Sequence, residues 1–443
     1  MEEGKIQVQE EQIEQPQQEQ QEQQEQRQEP SCYAMCSNDP VLEAVEGILY
    51  DFNNGIRVKF PSEGEPWRII FKDLDTGTIL YNQDIQPNNY VTSLKKYFIR
   101  FQLQIFRKTD FDAFVSAARE NPAIAEDEHF LPKPIFEHDY DATGKTVVIE
   151  LPVPTLGDAI GWMPYAEKFR VQHECHVVAV LDPKFIPIFE KTYPQIEFTT
   201  RDKVCEYKPY ATYYLGLFFK GDTNNQPCDF RHVGLHRTAG YILGVDPTEE
   251  KPRFDLSAPR IIKEPYVCIA AQSSSQCKYW NNPRGWREVV QFLKTAGYRV
   301  LCIDKEHEHG TGLVWNHIPY GAEDFTGSHS LQDRIDLIKD ADFFVGLSSG
   351  LAWLAWGCGV PVVMISGFTH PTNEFETPYR VINYHACNSC WNDLCVDFDH
   401  YDFLWCPRHK GTERQFECTR LITSEQVINT IKRIPAFKER NHA

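Results

Sequence analysis

The sequence predicts an α/β protein with two doubly wound Rossmann-like domains, an antiparallel β domain before them and a cysteine-bearing metal finger after them. Three observations carry this. From Val147 onward, short β-branched apolar runs alternate with helix-like stretches, and the alternation restarts after a proline-rich interval at residues 246–265. Residues 48–107 instead alternate with period two between turn signals. Cys387, Cys390, Cys395, Cys406 and Cys418 crowd into one C-terminal segment.

At 443 residues the chain has room for two or three domains and ample core. Its 42% hydrophobic and 24% charged content is ordinary for a globular protein. A formal charge of -18 argues against nucleic acid as the main partner. No apolar run approaches the roughly 18–20 residues of a membrane helix, and MEEGKIQVQE lacks the basic and apolar regions of a signal peptide. The expectation is a cytoplasmic chain without membrane insertion. Cysteine usage agrees: Cys268 and Cys302 lie in apolar strand-like runs, and local clustering elsewhere reads as a metal site.

Taken in order, residues 1–40 form a tail; 21 of the first 30 are Gln or Glu, so it is expected to be disordered. Residues 41–144 form the β domain. Ile56, Val58 and Phe60 alternate with Arg57 and Lys59 after Asn53-Asn54-Gly55, and 67–71 and 78–81 flank the turn Asp75-Thr76-Gly77. Tyr97, Ile99, Phe101, Leu103 and Ile105 alternate again, while 108–144 is mixed and polar. This domain carries no visible chemistry, so assembly or recognition is its expected role.

Residues 145–262 form the first Rossmann-like domain, with strands at 147–151, 175–181 and 196–199, an apolar run at 211–219 and helices near Asp158 and at 183–192. Residues 263–382 form the second, with strands at 266–271, 298–303, 342–346 and 360–365 and helices at 287–295, 331–339 and 351–356. Residues 383–443 hold the finger and a helix at 424–434 capped by Thr423 or Ser424. Two such domains set their carboxyl-end loops across a shared cleft, which suits a donor on one side and an acceptor on the other.

The stretch VVIELPVPTLGDAIGWMPY concentrates the chemistry. A strand ends at Leu151, Pro152 and Pro154 bar its continuation, and Thr155, Leu156 and Gly157 lead to a helix near Asp158. Asp158 therefore stands at the mouth of the cleft, although Thr155 and Asp158 are also natural helix caps. In the second domain, Leu347-Ser348-Ser349-Gly350 opens a helix after a strand, so backbone N–H groups can meet a phosphate. Ala271-Gln272-Ser273-Ser274-Ser275 follows another strand, with Lys278 beyond it as a point charge for a diphosphate. Asp304 follows a third, where a carboxylate can bond ribose hydroxyls. The set fits group transfer from a nucleotide diphosphate, with Asp158 deprotonating an acceptor hydroxyl. No Walker A or GxGxxG motif appears.

In the finger, Cys387-x2-Cys390 has knuckle spacing, and Cys406 and Cys418 can complete four thiolates around a structural zinc or iron. Cys395 competes as a ligand, and His385, His400 and His409 remain open as substitutes.

TLGD with Asp158, SSSQCKYW with Lys278, GLSSGLAWLAWG and the four-cysteine finger together resemble the bacterial autotransporter heptosyltransferases. So do GDTNNQPCDFRHVGLHRTAGYILGVDP and DFDHYDFLWCPRHKGTERQFECTRLIT, and the resemblance spans about residues 48–430. It implies a GT-B glycosyltransferase related to the lipopolysaccharide heptosyltransferases, with 145–262 on the acceptor side and 263–382 binding ADP-heptose. The implied reaction is inverting transfer of heptose to serine, or alternatively threonine, of an autotransporter passenger, without a catalytic metal. Asp158 is implied as base and Lys278 as the donor-phosphate ligand. Thr155, Leu156, Gly157, Ser273, Ser274, Asp304, Ser348, Ser349 and Gly350 complete the expected donor site. One structural iron per chain, with zinc as the alternative, is implied at Cys387, Cys390, Cys406 and Cys418, in a dodecameric ring. The chain departs from the lipopolysaccharide enzymes, which place Asp-Thr-Gly and a downstream His where it has Ser348-Ser349-Gly350 and Trp353. Two other readings are a glycolipid-modifying heptosyltransferase and a non-catalytic nucleotide-binding assembly protein.

Overall fold

The computed structural model describes residues 37–121 and 132–441. Most of the expected tail lies outside these residues. Its end does not: Arg57 Nη1 donates to the Ser37 carbonyl at 3.0 Å and reaches that of Asn38 at 3.4 Å, while Nη2 reaches that of Asp39 at 3.4 Å.

The first α/β sheet has its core in three parallel pairings. Thr146–Glu150 lies between His176–Val180 and Ala211–Tyr214, with Glu197–Thr199 beyond His176–Val180. These strands are buried along nearly their whole length, as parallel strands covered on both faces must be. The helix at Asp158 runs from Leu156 to His173, whereas the helix expected at 183–192 shrinks to Ile186–Phe189.

The sheet does not stop where the β domain was expected to end. Leu49–Asn53 pairs in parallel with Ala211–Tyr214, and Arg57–Lys59 and Tyr90–Thr92 extend the same sheet in antiparallel fashion. So part of the 41–144 segment is one flank of the first Rossmann-like sheet. The rest is a separate four-stranded antiparallel sheet of Ile79–Ile85, Trp67–Asp73, Phe101–Arg107 and Phe136–Asp139. The Asp75-Thr76-Gly77 hairpin forms as expected. A helix at Lys108–Glu120 occupies part of what read as mixed polar chain.

The join explains Arg57, which alternation placed outside. It is buried, and its guanidinium meets the buried Asp51 carboxylate at 2.6 Å. Asp51 also accepts from Asn53 Nδ2, and Asn53 Oδ1 takes the Thr212 hydroxyl at 2.6 Å. A buried charge survives only when paired and hydrogen-bonded, and this network supplies both across the new strand boundary.

The second α/β sheet is parallel throughout, in the order Glu323–Asp324, Arg299–Cys302, Tyr266–Ala270, Phe344–Leu347, Val362–Ile365 and Arg380–Val381. Helix Gly350–Gly357 leaves it and packs on helix Leu156–His173 of the first sheet. The contact is close: a Cβ on Gly350 would lie 2.7 Å from Leu156 Cβ, and one on Gly157 would lie 3.1 Å from the Trp353 ring. Two helix N-termini thus meet where the two sheets face each other. Among the described residues no helix is long and apolar enough to cross a membrane.

Candidate active site and metal centre

Asp158 occupies the first turn of helix Leu156–His173, beside Thr155 at its N-cap. Thr155 does not cap the helix with its side chain, although its residue type suits that place. The Thr155 side chain accepts no backbone N–H, and its hydroxyl donates instead to the Asp158 carboxylate. Dense surroundings push the Asp158 pKa up; the Thr155 hydroxyl, the Lys278 charge and its own backbone N–H act against this. A half-buried carboxylate raised above its usual range is a better base near neutrality than a solvated one.

Lys278 ends the short turn Gln276–Lys278, which follows strand Tyr266–Ala270. Its charge is felt at Asp158, so the ammonium and the carboxylate lie near each other although they follow strands of different sheets. The ammonium lies over the Phe368 ring at 5.3 Å and the Trp391 ring at 5.8 Å. The turn itself is tied to the finger, because Gln276 N donates to the Phe403 carbonyl at 2.9 Å and the Ser275 hydroxyl to the same oxygen at 3.2 Å.

The other expected donor residues divide. Ser273 is half-buried and Ser274 exposed beside this turn. Asp304, expected on a ribose, is 1% exposed. Its carboxylate accepts the Ala271 N–H at 2.8 Å and the Gln272 N–H at 3.2 Å, with the Cys302 thiol also at 3.2 Å. A carboxylate so occupied fixes the 271–275 loop and is not free for a sugar. Ser348 is likewise engaged, donating to Glu374 and accepting from the Thr369 hydroxyl at 3.1 Å. The Ser349 hydroxyl is buried without a hydrogen-bond partner, and with the N-terminus of helix Gly350–Gly357 it is the group left to meet a ligand.

Sequence reasoning missed Thr369, Glu374 and Arg380. Glu374 is buried, held by Arg380 at 3.0 Å, and braces Ser348 from below. The signal existed: residues 366–374 follow strand Val362–Ile365, so they form another carboxyl-end loop. Glu150 was missed too. It ends the strand leading to Asp158, is 1% exposed, and both carboxylate oxygens lack hydrogen-bond partners; burial raises its pKa to about 7 despite Arg201 at 3.7 Å.

In the finger, thiols converge. Cys390 is hydrogen-bonded to Cys387 and pushed up to about 12 by burial and by Cys387 and Cys406. Cys418 is raised by burial and by Cys390, Cys406, Cys277 and Cys387. Thiols crowded in this way are what a cation gathers by taking thiolates as ligands. Cys395 is exposed. A second convergence lies alongside: ligand atoms of Cys387, His409 and Glu417 fall within 4.8 Å of one another. Glu417, however, is clasped by Arg414 at 2.8 and 2.7 Å, which holds its pKa down at about 2. Among the described residues the ligand atoms brought within 4.8 Å of one another are thus those of Cys387, His409 and Glu417, so His409, left open by the sequence, joins Cys387 in this cluster, while Cys390, Cys406 and Cys418 lie close by. Cys277, next to Lys278, is a further buried thiol at its margin that spacing gave no reason to include.

Among known proteins, the family described as glycosyltransferase TibC, N-terminal domain, matches residues 45–109, and glycosyltransferase family 9 (heptosyltransferase) matches residues 236–398. The chain is 54% identical over 397 residues to the autotransporter heptosyltransferase BAHTCr of Citrobacter rodentium, covering 90% of this chain and 91% of the relative. It is 52% identical to the autotransporter heptosyltransferase TibC of Escherichia coli O78:H11, covering 89% and 91%. A Burkholderia thailandensis relative, the inactive autotransporter heptosyltransferase BimC, is 41% identical, covering 90% and 88%. The crystal structure of the iron-containing dodecameric glycosyltransferase TibC superposes with a TM-score of 0.83 at 50% identity, covering 90% of this chain and 98% of that one. TibC has also been solved in complex with ADP-D-beta-D-heptose, again with a TM-score of 0.83, at 49% identity and covering 91% and 99%.

Proposed function

The chain belongs to the autotransporter heptosyltransferases, and from that premise we propose that Asp158 and Lys278 make it an active protein O-heptosyltransferase using ADP-heptose. An acceptor serine hydroxyl attacks the anomeric carbon of the heptose as its bond to the ADP oxygen breaks. Asp158 takes the hydroxyl proton, and ADP leaves with the bonding pair. Attack opposite the leaving group inverts the anomeric centre. Lys278 and the N-terminus of helix Gly350–Gly357 face the charge that builds on the departing diphosphate. No step requires a metal.

One observation carries the reading. A carboxylate whose pKa is raised lies within the field of a lysine, each following a strand of a different sheet. This matters because the family includes a relative described as inactive, so membership alone does not imply turnover. We assign the acceptor to an autotransporter passenger, the class for which the relatives are named. The oligomer is assigned as a dodecamer and the metal as one iron per chain, after the TibC structure. Cys387, Cys390, Cys406 and Cys418 would hold that iron, whose contribution is to fix the fold of the finger. Thiolate ligands and a nucleotide-sugar donor both suit the reducing cytoplasm, where we place the reaction.

Intact-mass measurement of a passenger co-expressed with wild type or with Asp158→Asn tests the proposal. Heptose-sized mass increments with wild type only are expected. No increments with either chain would support an assembly protein, and equal increments with both would remove Asp158 from catalysis.

A further inference from the structure

We infer that Phe368 and Trp391 are positioning residues for Lys278: their rings seat its ammonium toward the donor diphosphate without neutralising it. The inference rests on the assignment of Lys278 to the donor phosphates. The carboxylate that feels the Lys278 charge is Asp158, and among the described residues Lys278 is in no ion pair. A carboxylate there would hold the lysine in place but compete with a diphosphate for its charge. Aromatic faces attract an ammonium and leave its full charge available to an anion. The two rings that do this lie 5.3 and 5.8 Å from Lys278 Nζ.

The seat is built from three parts of the chain. Phe368 belongs to the loop after strand Val362–Ile365, in the second α/β unit. Trp391 belongs to the finger, directly after Cys390. Its backbone N–H donates to the Phe368 carbonyl at 3.1 Å, and its indole N–H donates to Asn373 Oδ1 at 3.0 Å. On the side of the first α/β unit its ring meets Phe219 at 5.5 Å and Phe230 at 5.8 Å. The next residue completes the clasp: Asn392 Nδ2 donates to the Arg231 carbonyl, and the His370 N–H donates to Asn392 Oδ1, both at 2.9 Å. A ring pinned on so many sides has little freedom, so it presents a fixed face to the ammonium. The finger therefore does more than stabilise its own segment, because it supplies one wall of the lysine seat.

The experiment is ADP titration calorimetry on the full-length metal-loaded protein, with iron content measured for every variant. Trp391→Leu and Phe368→Leu should each weaken ADP binding roughly 2- to 30-fold, the range of a cation–π contact. Trp391→Phe, which keeps a ring, should stay near wild type. The decisive arm is the Lys278→Ala background, where neither leucine substitution should weaken ADP further. If Trp391→Leu loses iron, Phe368→Leu carries the test. Wild-type ADP affinity in Phe368→Leu overturns the inference, as does an equal loss with and without Lys278, which would place the rings on the nucleotide itself. Unchanged ADP affinity in Lys278→Ala alone would instead overturn the donor-site assignment.

Discussion

Replacing Glu150 by glutamine should make the protein more stable, relative to wild type, at alkaline pH than near pH 4.5. Glu150 is a buried carboxyl whose two oxygens have no hydrogen-bond partner, and its folded pKa is about 7 against an ordinary 4.5. Below pH 4.5 the group is protonated in both states and contributes no pH-dependent term. Between 4.5 and 7 the unfolded chain releases the proton while the folded chain retains it, so stability falls as pH rises. At about 1.36 kcal/mol per pKa unit, the loss is complete above pH 7 and is on the order of 3 kcal/mol. The amide cannot ionise and removes that loss. Its own unpaired N–H groups cost stability too, about 1–3 kcal/mol, but equally at every pH. The informative quantity is therefore the difference between variant and wild-type melting midpoints at pH 8, minus the same difference at pH 4.5. It should be positive by several degrees. A difference independent of pH would refute the argument and mean that Glu150 is ionised or solvated in the folded protein.

Asp158→Asn should lower transfer roughly 10²–10⁴-fold without changing assembly, read by passenger mass and light scattering. Because the Asp158 pKa is raised, the acid limb of kcat/KM should fall at a pH above the ordinary aspartate range of about 3.8 and disappear in the variant. Ser349→Ala should weaken ADP binding more than Ser348→Ala in calorimetry, since the Ser349 hydroxyl is unpartnered whereas that of Ser348 is spent on Glu374 and Thr369. Cys395→Ser should keep full iron by elemental analysis. Cys418→Ser should lose iron and weaken ADP binding as well, because the finger holds the Ser275–Lys278 turn through Phe403.

That last expectation runs against the sequence, in which the finger looks like an appendage lying far beyond the donor loops. The strand–loop–helix units were legible because each writes its own period and breakers into a few consecutive residues, as VVIELPVPTLGD does. The positions of Asp158 and Lys278 beyond strand ends were legible for the same reason. What stayed hidden depends on partners distant in the chain. Asp304 and Ser348 carry the right chemistry at the right places, yet folding commits them to Ala271, Gln272 and Glu374. Arg57 follows a surface alternation, and only the sheet shows it facing Asp51. The Phe403 carbonyl that anchors the Ser275–Lys278 turn lies more than a hundred residues downstream.

The shared first sheet has a consequence for how the chain is made. Asn53 and Thr212, which join its two halves, are 159 positions apart. At about 5–20 residues per second, the ribosome needs roughly 8–30 s to bring the second after the first. For that interval Leu49–Asn53 can pair with Arg57–Lys59 on one side and, through Leu49 and Tyr50, with Leu42–Glu43 on the other, while the Phe52–Asn53 end of that edge stays open. An open edge on a nascent chain is a place where two copies can join wrongly. The same geometry makes the N-terminal module inseparable from the catalytic half. Cutting the chain before residue 145 would strip the neighbour from Ala211–Tyr214 and leave a raw sheet edge in place of a domain boundary.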